Sequence, residues 1–377
     1  MRVLFLQNIP SPYRVKFFSL LGNLVDLTVL YELRNASDRD DSWKAEGVEI
    51  TYKEVFLNTK RIISDGGIGI DVLSYLTRDY DFIIVGTHGT PTSKLAMFYM
   101  RTLGIPYILN VDGMLSSDLA GKSYINRQLR RLLFKGANVY FTSGCDTDYY
   151  IKQLGIDIIN KCYHYHFSSI ENKDIVEYDV EVNKEQLKNK LGVVEKHMIL
   201  CVTRFIPGKG VEVLINAFAT LNRNDIALVV IGGEESIYDE VLINVNKEIR
   251  QHIFFPGFMQ EAKLCQYYMA ADVFVLPTHH DTWGLVINEA MAKGLPIITT
   301  DMCGAGLEII KNGENGFLIH DNDERELKNK IEYLIDNKEV REYMRRKNIE
   351  VAHKYTIEAM VEDHINHFKA LKRIGTR

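Results

Sequence analysis

Two stretches of this sequence place charged side chains where they could grip a phosphate and a sugar. The first reads Arg204-Phe-Ile-Pro-Gly-Lys209-Gly210, after an apolar run at 198–203 and before a helical pattern that begins near Val211. Two cations, glycines that allow close backbone approach and the free N–H groups of a helix start together suit a diphosphate. The plain alternative is a surface loop with two solvated charges. The second stretch runs from Pro277 through Asp281, Gly284 and Glu289 to Gly294 and Pro296. Gly284 sits where loop meets helix, and Gly294 with Pro296 ends that helix. Backbone N–H groups of Gly284, Leu285 and Val286 are then expected to face an incoming phosphate. Ionised carboxylates only accept hydrogen bonds, so Asp281 and Glu289 beside an anion site suit hydroxyls, one on a sugar ring and one on a ribose. A helix dipole also favours acids near its start, but Glu289 lies deep in an apolar helix.

Something must hold these loops. Short apolar, β-branched runs alternate with helical patterns along the chain, with strands expected at 3–7, 27–31, 82–85, 107–111 and 139–142. A second set is expected at 198–203, 227–231, 253–255, 273–276, 297–300 and 317–319. Runs this apolar are buried on both faces, which implies parallel sheets with helices on each side, so ligands belong at the strands' carboxyl ends. The pattern runs twice. The expectation is α/β, with two doubly wound Rossmann-like domains at 1–170 and 171–356. The polar, acidic stretch 168–196 is the expected seam and hinge, with a short helix at 185–191. A last helical segment, 357–377, is expected to cross back onto the first domain.

As a set, Arg204…Lys209-Gly210 followed by Asp281-x-Trp-Gly…Glu289-Ala-Met-Ala-x-Gly-x-Pro resembles the retaining glycosyltransferases of family 4, which have the GT-B fold. Gly257-Phe258, Ala271-Asp272-Val-Phe-Val-Leu-Pro277 and Asn312-Gly-Glu-Asn-Gly-Phe-Leu318 are similar to further parts of that pattern. The opening Ile9-Pro-Ser-Pro-Tyr13-Arg14 is similar to a bacterial subgroup that assembles capsular or other surface polysaccharides. The resemblance implies two domains facing a cleft and a nucleoside-diphosphate sugar as donor, most simply a UDP- or GDP-sugar. It implies that Arg204 and Lys209 hold the diphosphate and stabilise the departing nucleotide. Glu289 would take the ribose, Asp281 the donor sugar, and the turn at Gly257 and Phe258 would lie near the base. The acceptor would be a glycan or a lipid-linked sugar. No metal and no cofactor are expected, because the two cations and the helix start already supply positive charge. The acids Asp38, Asp40 and Asp41 cluster in a polar segment with no strand leading into it.

The chain departs from the family in three places. Asp281 stands where the family usually has Glu. Pro10-Ser-Pro-Tyr-Arg14 replaces a glycine-rich loop, and is expected to be stiff, with Pro12, Tyr13 and Arg14 directed toward the acceptor or a phosphate. The alternative for Arg14 is a pair with a neighbouring acid. Asp112-Gly113 stands where relatives carry a His that faces the sugar, with His88 the nearest substitute. Asp112 is expected to stabilise charge on the sugar ring or to orient the acceptor.

Composition narrows the alternatives. A formal charge of −5 gives no global field for nucleic acid or an anionic membrane, so such binding must be local. Five scattered cysteines, without a C-x-x-C pair or a His partner at metal-ligand spacing, read as reduced thiols of a cytoplasmic protein. His279 and His280 read as polar loop residues rather than a metal site. No apolar run approaches a membrane span. One basic stretch, Lys122 to Lys135, is expected to form a helix with Arg127, Arg130 and Arg131 on one face and Leu129, Leu132 and Leu133 on the other. It could dock on an anionic membrane at the inner face of the cell, or simply carry solvated charge. Two other functions remain open: a nucleotide-sugar epimerase of the same architecture, and a non-catalytic sugar-nucleotide-binding subunit.

Overall fold

The apolar runs become strands in a computed structural model that describes residues 1–38, 45, 47–119, 123–177 and 183–375, except for the side chains of 374 and 375. Asp40, Asp41, Lys122, part of the seam (178–182) and the last two residues therefore lie outside the described residues. Two units are resolved by their internal packing: Met1–Ser169 with Thr356–Arg377, and Ile170–Tyr355.

The first unit begins β1 (Arg2–Gln7), α1 (Pro12–Gly22), β2 (Asp26–Tyr31), β3 (Lys53–Phe56), β4 (Lys60–Ile63) and β5 (Gly66–Ile68). It continues β6 (Phe82–Val85), α2 (Pro91–Leu103), β7 (Ile108–Val111), α3 (Tyr124–Phe134), β8 (Val139–Thr142), α4 (Cys145–Gln153) and β9 (Cys162–His164). Seven of these strands form one sheet in the order β3-β2-β1-β6-β7-β8-β9, with every neighbour parallel. Strands β4 and β5 form a separate antiparallel hairpin.

The second unit runs α5 (Lys184–Lys190), β10 (His197–Val202), α6 (Val211–Leu221), β11 (Ile226–Ile231), α7 (Asp239–Leu242), α8 (Lys247–Arg250) and β12 (Ile253–Phe254). Then follow α9 (Glu261–Ala270), β13 (Val273–Leu276), α10 (Leu285–Ala292), β14 (Ile297–Thr300), α11 (Gly304–Ile309), β15 (Gly316–Ile319), α12 (Glu324–Asp336) and α13 (Lys338–Ala352). Its parallel sheet has the order β12-β11-β10-β13-β14-β15. Every residue of β10, β11, β13 and β14 is buried, as two-sided burial of a parallel sheet requires. Strand order reverses between β1 and β6 in one sheet and between β10 and β13 in the other. Such reversals open a crevice between diverging loops at the carboxyl ends of the strands.

The last helix, α14 (Ile357–Gly375), belongs to the first unit and packs on α1. His364 meets Phe17 at 4.9 Å between ring centroids, and Phe368 stacks on Phe82 at 4.9 Å. Asp363 accepts hydrogen bonds from the His166 backbone at 2.8 Å, and Lys372 pairs with Asp81 at 2.9 Å. The strands that the periodicity did not foretell are β3, β4, β5 and β9. They are short and half exposed or exposed, apart from the two glycines of β5. The apolar density that marks a two-sided strand is therefore missing from them.

Candidate active site

In the second unit, the loop 203–210 after β10 and the loop 277–284 after β13 flank the reversal, and they pack directly on one another. The Gly208 carbonyl accepts from the backbone N–H of His279 at 2.9 Å and His280 at 3.2 Å, and from the Thr278 hydroxyl at 3.1 Å. Gly210 has φ +65, and a Cβ there would lie 2.0 Å from the Pro277 carbonyl oxygen. Its missing side chain therefore serves the approach of a neighbouring loop. The expectation that the glycines of this stretch make room for a ligand is corrected for Gly210.

This packing brings Lys209 and Asp281 together, with Nζ 2.7 Å from Oδ2 and 3.1 Å from the His280 carbonyl. Asp281 is held from several sides. Its backbone N–H donates to Met302 at 2.9 Å, its carbonyl accepts from Gly304 at 3.0 Å, and its Oδ1 accepts from the Trp283 N–H at 3.2 Å. Gly304 carries no side chain because a Cβ would strike the Thr282 carbonyl oxygen at 2.3 Å. Cys303 completes the brace, donating to the Trp283 carbonyl at 3.0 Å, and burial pushes its thiol up to about 12. Neither Gly304 nor Cys303 stood out in the sequence. Their role depends on a contact about twenty residues away, which no local spacing reveals.

Gly284 sits at φ +93 as the N-cap of α10, so Leu285 and Val286 form its first turn. Glu289 follows on the second turn, half-buried, and accepts from the Tyr268 hydroxyl of α9 at 2.9 Å. Tyr268 is wholly enclosed, and burial drives its phenol well above the usual range, so it remains a donor that orients Glu289. Arg204 opens the first loop and is half-buried. Gly257, at φ +84, accepts from the Gly232 N–H at 3.2 Å, and Phe258 beside it is exposed. The histidines of the second loop are not equivalent. His279 lies between Asp321 (2.6 Å) and Glu212 (2.9 Å). Burial disfavours its charged form, but the two carboxylates outweigh that and hold its pKa above the usual imidazole value.

The first unit uses its charged residues differently. Pro12, Tyr13 and Arg14 form the first turn of α1, where proline's fixed φ suits position N1, rather than an extended stiff loop. Arg14 consequently points inward and is fully buried. Its Nη2 donates to Asp112, and its guanidinium lies 5.4–5.8 Å from the rings of Tyr13, Phe17 and Phe167. The Nε and Nη1 groups have no hydrogen-bond partner among the described residues. Burial opposes the charge on Arg14, and Asp112 together with Tyr165 and Tyr13 more than offsets it, so the pKa is raised. The expectation that Arg14 reaches out to an acceptor or phosphate is corrected: it is the internal counter-ion of Asp112. Tyr13 stays half-buried against Phe167, 5.7 Å between ring centroids.

Asp112, after β7, is the meeting point of this network. Besides Arg14 it accepts from Asn110 at 2.7 Å and Tyr165 at 2.6 Å, while a quarter of its side chain remains exposed. Asn110 in turn touches His364 Nε2 at 3.0 Å, so the last helix helps to fix Asp112. Burial lowers the His364 pKa to about 3, leaving a neutral ring. His88, after β6, is half-buried and edge-on to Phe134 at 5.2 Å.

Helix α3 also differs from expectation. Arg127 and Arg130 are half-buried, and Arg130 donates to the Tyr150 hydroxyl at 2.5 Å, while Arg131 and Lys135 are exposed. The outward face is instead apolar, with Tyr124 at 76%, Ile125 at 77% and Leu129 at 48% exposure. Sequence spacing locates the two faces of a helix, but only the tertiary fold decides which one the domain covers.

With this geometry in view, comparison with known proteins bears on the second unit. Residues 183–351 match the family model described as Glycosyl transferases group 1. The matched stretch contains both loops, α9 and α10. An uncharacterised glycosyltransferase of Methanocaldococcus jannaschii is 29% identical over 279 residues, covering 74% of this chain and 72% of that protein. The capsular polysaccharide biosynthesis glycosyltransferase CapM of Staphylococcus aureus is 30% identical over 185 residues. That match covers 47% of this chain and 46% of CapM, about half the length of each. Among solved structures, Anabaena HepE in complex with UDP superposes with a TM-score of 0.78 at 17% identity, covering 98% of this chain and 100% of that one. The fold is GT-B.

Proposed function

We propose that this chain moves a sugar from a nucleoside-diphosphate sugar to a glycan or lipid-linked acceptor, with retention of anomeric configuration, in surface polysaccharide biosynthesis. The observation that carries the reading is the Lys209–Asp281 pair, held by two interlocked loops where strand order reverses in the stretch that matches the group 1 model. Donor chemistry is supported by HepE, whose structures include complexes with UDP and with UDP-glucose, and pathway by the name of CapM. In this reading Arg204 and Lys209 hold the diphosphate of a UDP- or GDP-sugar. Glu289, oriented by Tyr268, takes the ribose, Asp281 the donor sugar, and the turn at Gly257 and Phe258 the base. The bond from the anomeric carbon to the phosphate oxygen breaks as the acceptor oxygen attacks from the same face. The acceptor proton passes to the departing phosphate oxygen, so no strong protein base is required. Lys209 and Arg204 stabilise the charge that builds on that oxygen, without a metal.

A panel of nucleotide sugars in thermal unfolding tests the donor. The matching donor at a hundred times its dissociation constant is expected to add about 2.7 kcal/mol. Lys209→Ala is expected to cut turnover by about 10²–10³. Donor binding with release of an epimerised nucleotide sugar, and no acceptor required, would reverse the choice in favour of an epimerase.

The partner surface belongs to the same proposal. Among the described residues no helix is long and apolar enough to cross a membrane. The outward apolar face of α3, flanked by exposed Arg131 and Lys135, suits the interface of an anionic bilayer at the inner face of the cell membrane. Ile125→Ser with Leu129→Ser should release the protein from anionic vesicles in sedimentation. Undiminished binding by that variant would discard the surface.

A further inference from the structure

The first unit contains a side-chain cluster that the donor reading does not use. Cys162 and His164 stand two apart on the edge strand β9, so both side chains fall on one face of the sheet. Helix α4 brings Asp148 against that face. The Asp148 carboxylate bridges the pair, with Oδ1 accepting from the Cys162 thiol at 2.9 Å and Oδ2 lying 2.7 Å from His164 Nε2. The Thr142 hydroxyl, at the end of β8, donates to the same Oδ1 at 2.7 Å. One ligand atom from each of Asp148, Cys162 and His164 lies within 4.8 Å of the others. The expectation that no cysteine has a histidine partner at metal-ligand spacing is thereby corrected: the Cys-x-His pair was present in the sequence, and its carboxylate came from another element.

We propose that Asp148, Cys162 and His164 form a binding site for a divalent transition-metal ion, with Zn²⁺ the ion that fits best. A thiolate, an imidazole and a carboxylate are the borderline-soft donor set that zinc takes, and three protein ligands leave a fourth position for water or another oxygen ligand. Two of the ligands are already held. His164 Nε2 faces the site while its backbone carbonyl accepts from His367 Nε2 at 2.6 Å, and Thr142 orients the carboxylate. Side-chain exposure of 48% at His164 against 15% at Asp148 leaves a way in from solvent. On binding, the thiol proton leaves to solvent, and the imidazole coordinates through the Nε2 lone pair. The cluster lies on the rim that also carries Asp112. Val111 pairs with Thr142 and Thr142 with His164 in the sheet register, so an oxygen ligand on the metal would sit on the rim where this unit can hold a substrate.

Titration of the full, reduced, untagged chain with Co²⁺ tests the site without any nucleotide sugar. One equivalent is expected to give a thiolate-to-cobalt charge-transfer band together with tetrahedral visible bands, and Zn²⁺ should displace both. Cys162→Ser should abolish the charge-transfer band, and His164→Asn should weaken binding by about tenfold or more. Cys265→Ser, in the other unit, should leave the spectrum unchanged. Absence of a saturable charge-transfer band in the parent chain, or its persistence in Cys162→Ser, overturns the site. Should either variant fail to fold by circular dichroism, the parent titration with Zn²⁺ competition still decides.

Discussion

Two basic residues, Lys209 in the second unit and Arg14 in the first, each pair with an aspartate beside a place where strand order reverses, yet they occupy different environments. Lys209 and Asp281 retain 12% and 23% of their side-chain exposure and are held by loop-to-loop hydrogen bonds. Arg14 retains none, is surrounded by three aromatic rings, and shares Asp112 with Asn110 and Tyr165. A cation that still meets solvent can exchange its carboxylate for a ligand's phosphate at modest cost. A fully buried cation cannot, because removing its counter-ion leaves an unsolvated charge. The first arrangement suits binding a charged substrate, and the second suits holding one carboxylate in a fixed position.

Neutralising each aspartate offers the largest separation between the two. Asp112→Asn strands the buried guanidinium and is expected to cost about 3 kcal/mol in denaturant unfolding, with donor binding nearly intact and turnover abolished. Asp281→Asn should cost no more than about 1 kcal/mol and weaken donor binding instead. Equal stability losses would dissolve the contrast, and full turnover in Asp112→Asn would remove Asp112 from the reaction.

The pH response sharpens the same comparison with effects of opposite sign. His364 stays neutral in the folded state down to about 3, against an ordinary value of 6.5, because burial disfavours its charge. The unfolded chain takes up that proton first. Stability therefore falls as pH drops from 6.5 toward 3, by up to about 1.4 kcal/mol per pH unit, and His364→Gln should flatten the slope. His279 behaves in reverse, since its carboxylate partners raise its folded pKa despite burial. Its contribution is complete below 6.5 and is lost as pH rises through the higher folded value, so His279→Gln should lose most stability in mild acid. Stability measured against pH for both variants checks the two signs together.

Much of the Lys209–Asp281 site was legible because it is local. Apolar runs marked β10 and β13, Gly210 and Gly284 marked the loops after them, and Gly294 with Pro296 marked the end of α10. The partners that orient those residues were not legible. Tyr268 reaches Glu289 from the neighbouring helix, and Gly304 reaches Asp281 across a separate loop. The Arg14–Asp112 network was less legible still. Arg14 is the third residue of a largely buried helix without a clear polar face, and its chemical type says nothing about whether it faces water or the sheet.

By itself the sequence determined the alternation of buried strands with helices, the division into two α/β units, and the chemical types in the loops after β10 and β13. Each follows from backbone propensity and apolar spacing over a few neighbouring residues. Tertiary structure alone decided that Lys209 meets Asp281, that Arg14 is the buried counter-ion of Asp112, and that α3 turns Ile125 and Leu129 outward. It alone drew Asp148 to the Cys162 and His164 pair. Those outcomes depend on which faces the fold buries against one another, and burial sets whether a charge binds a ligand or braces a neighbour.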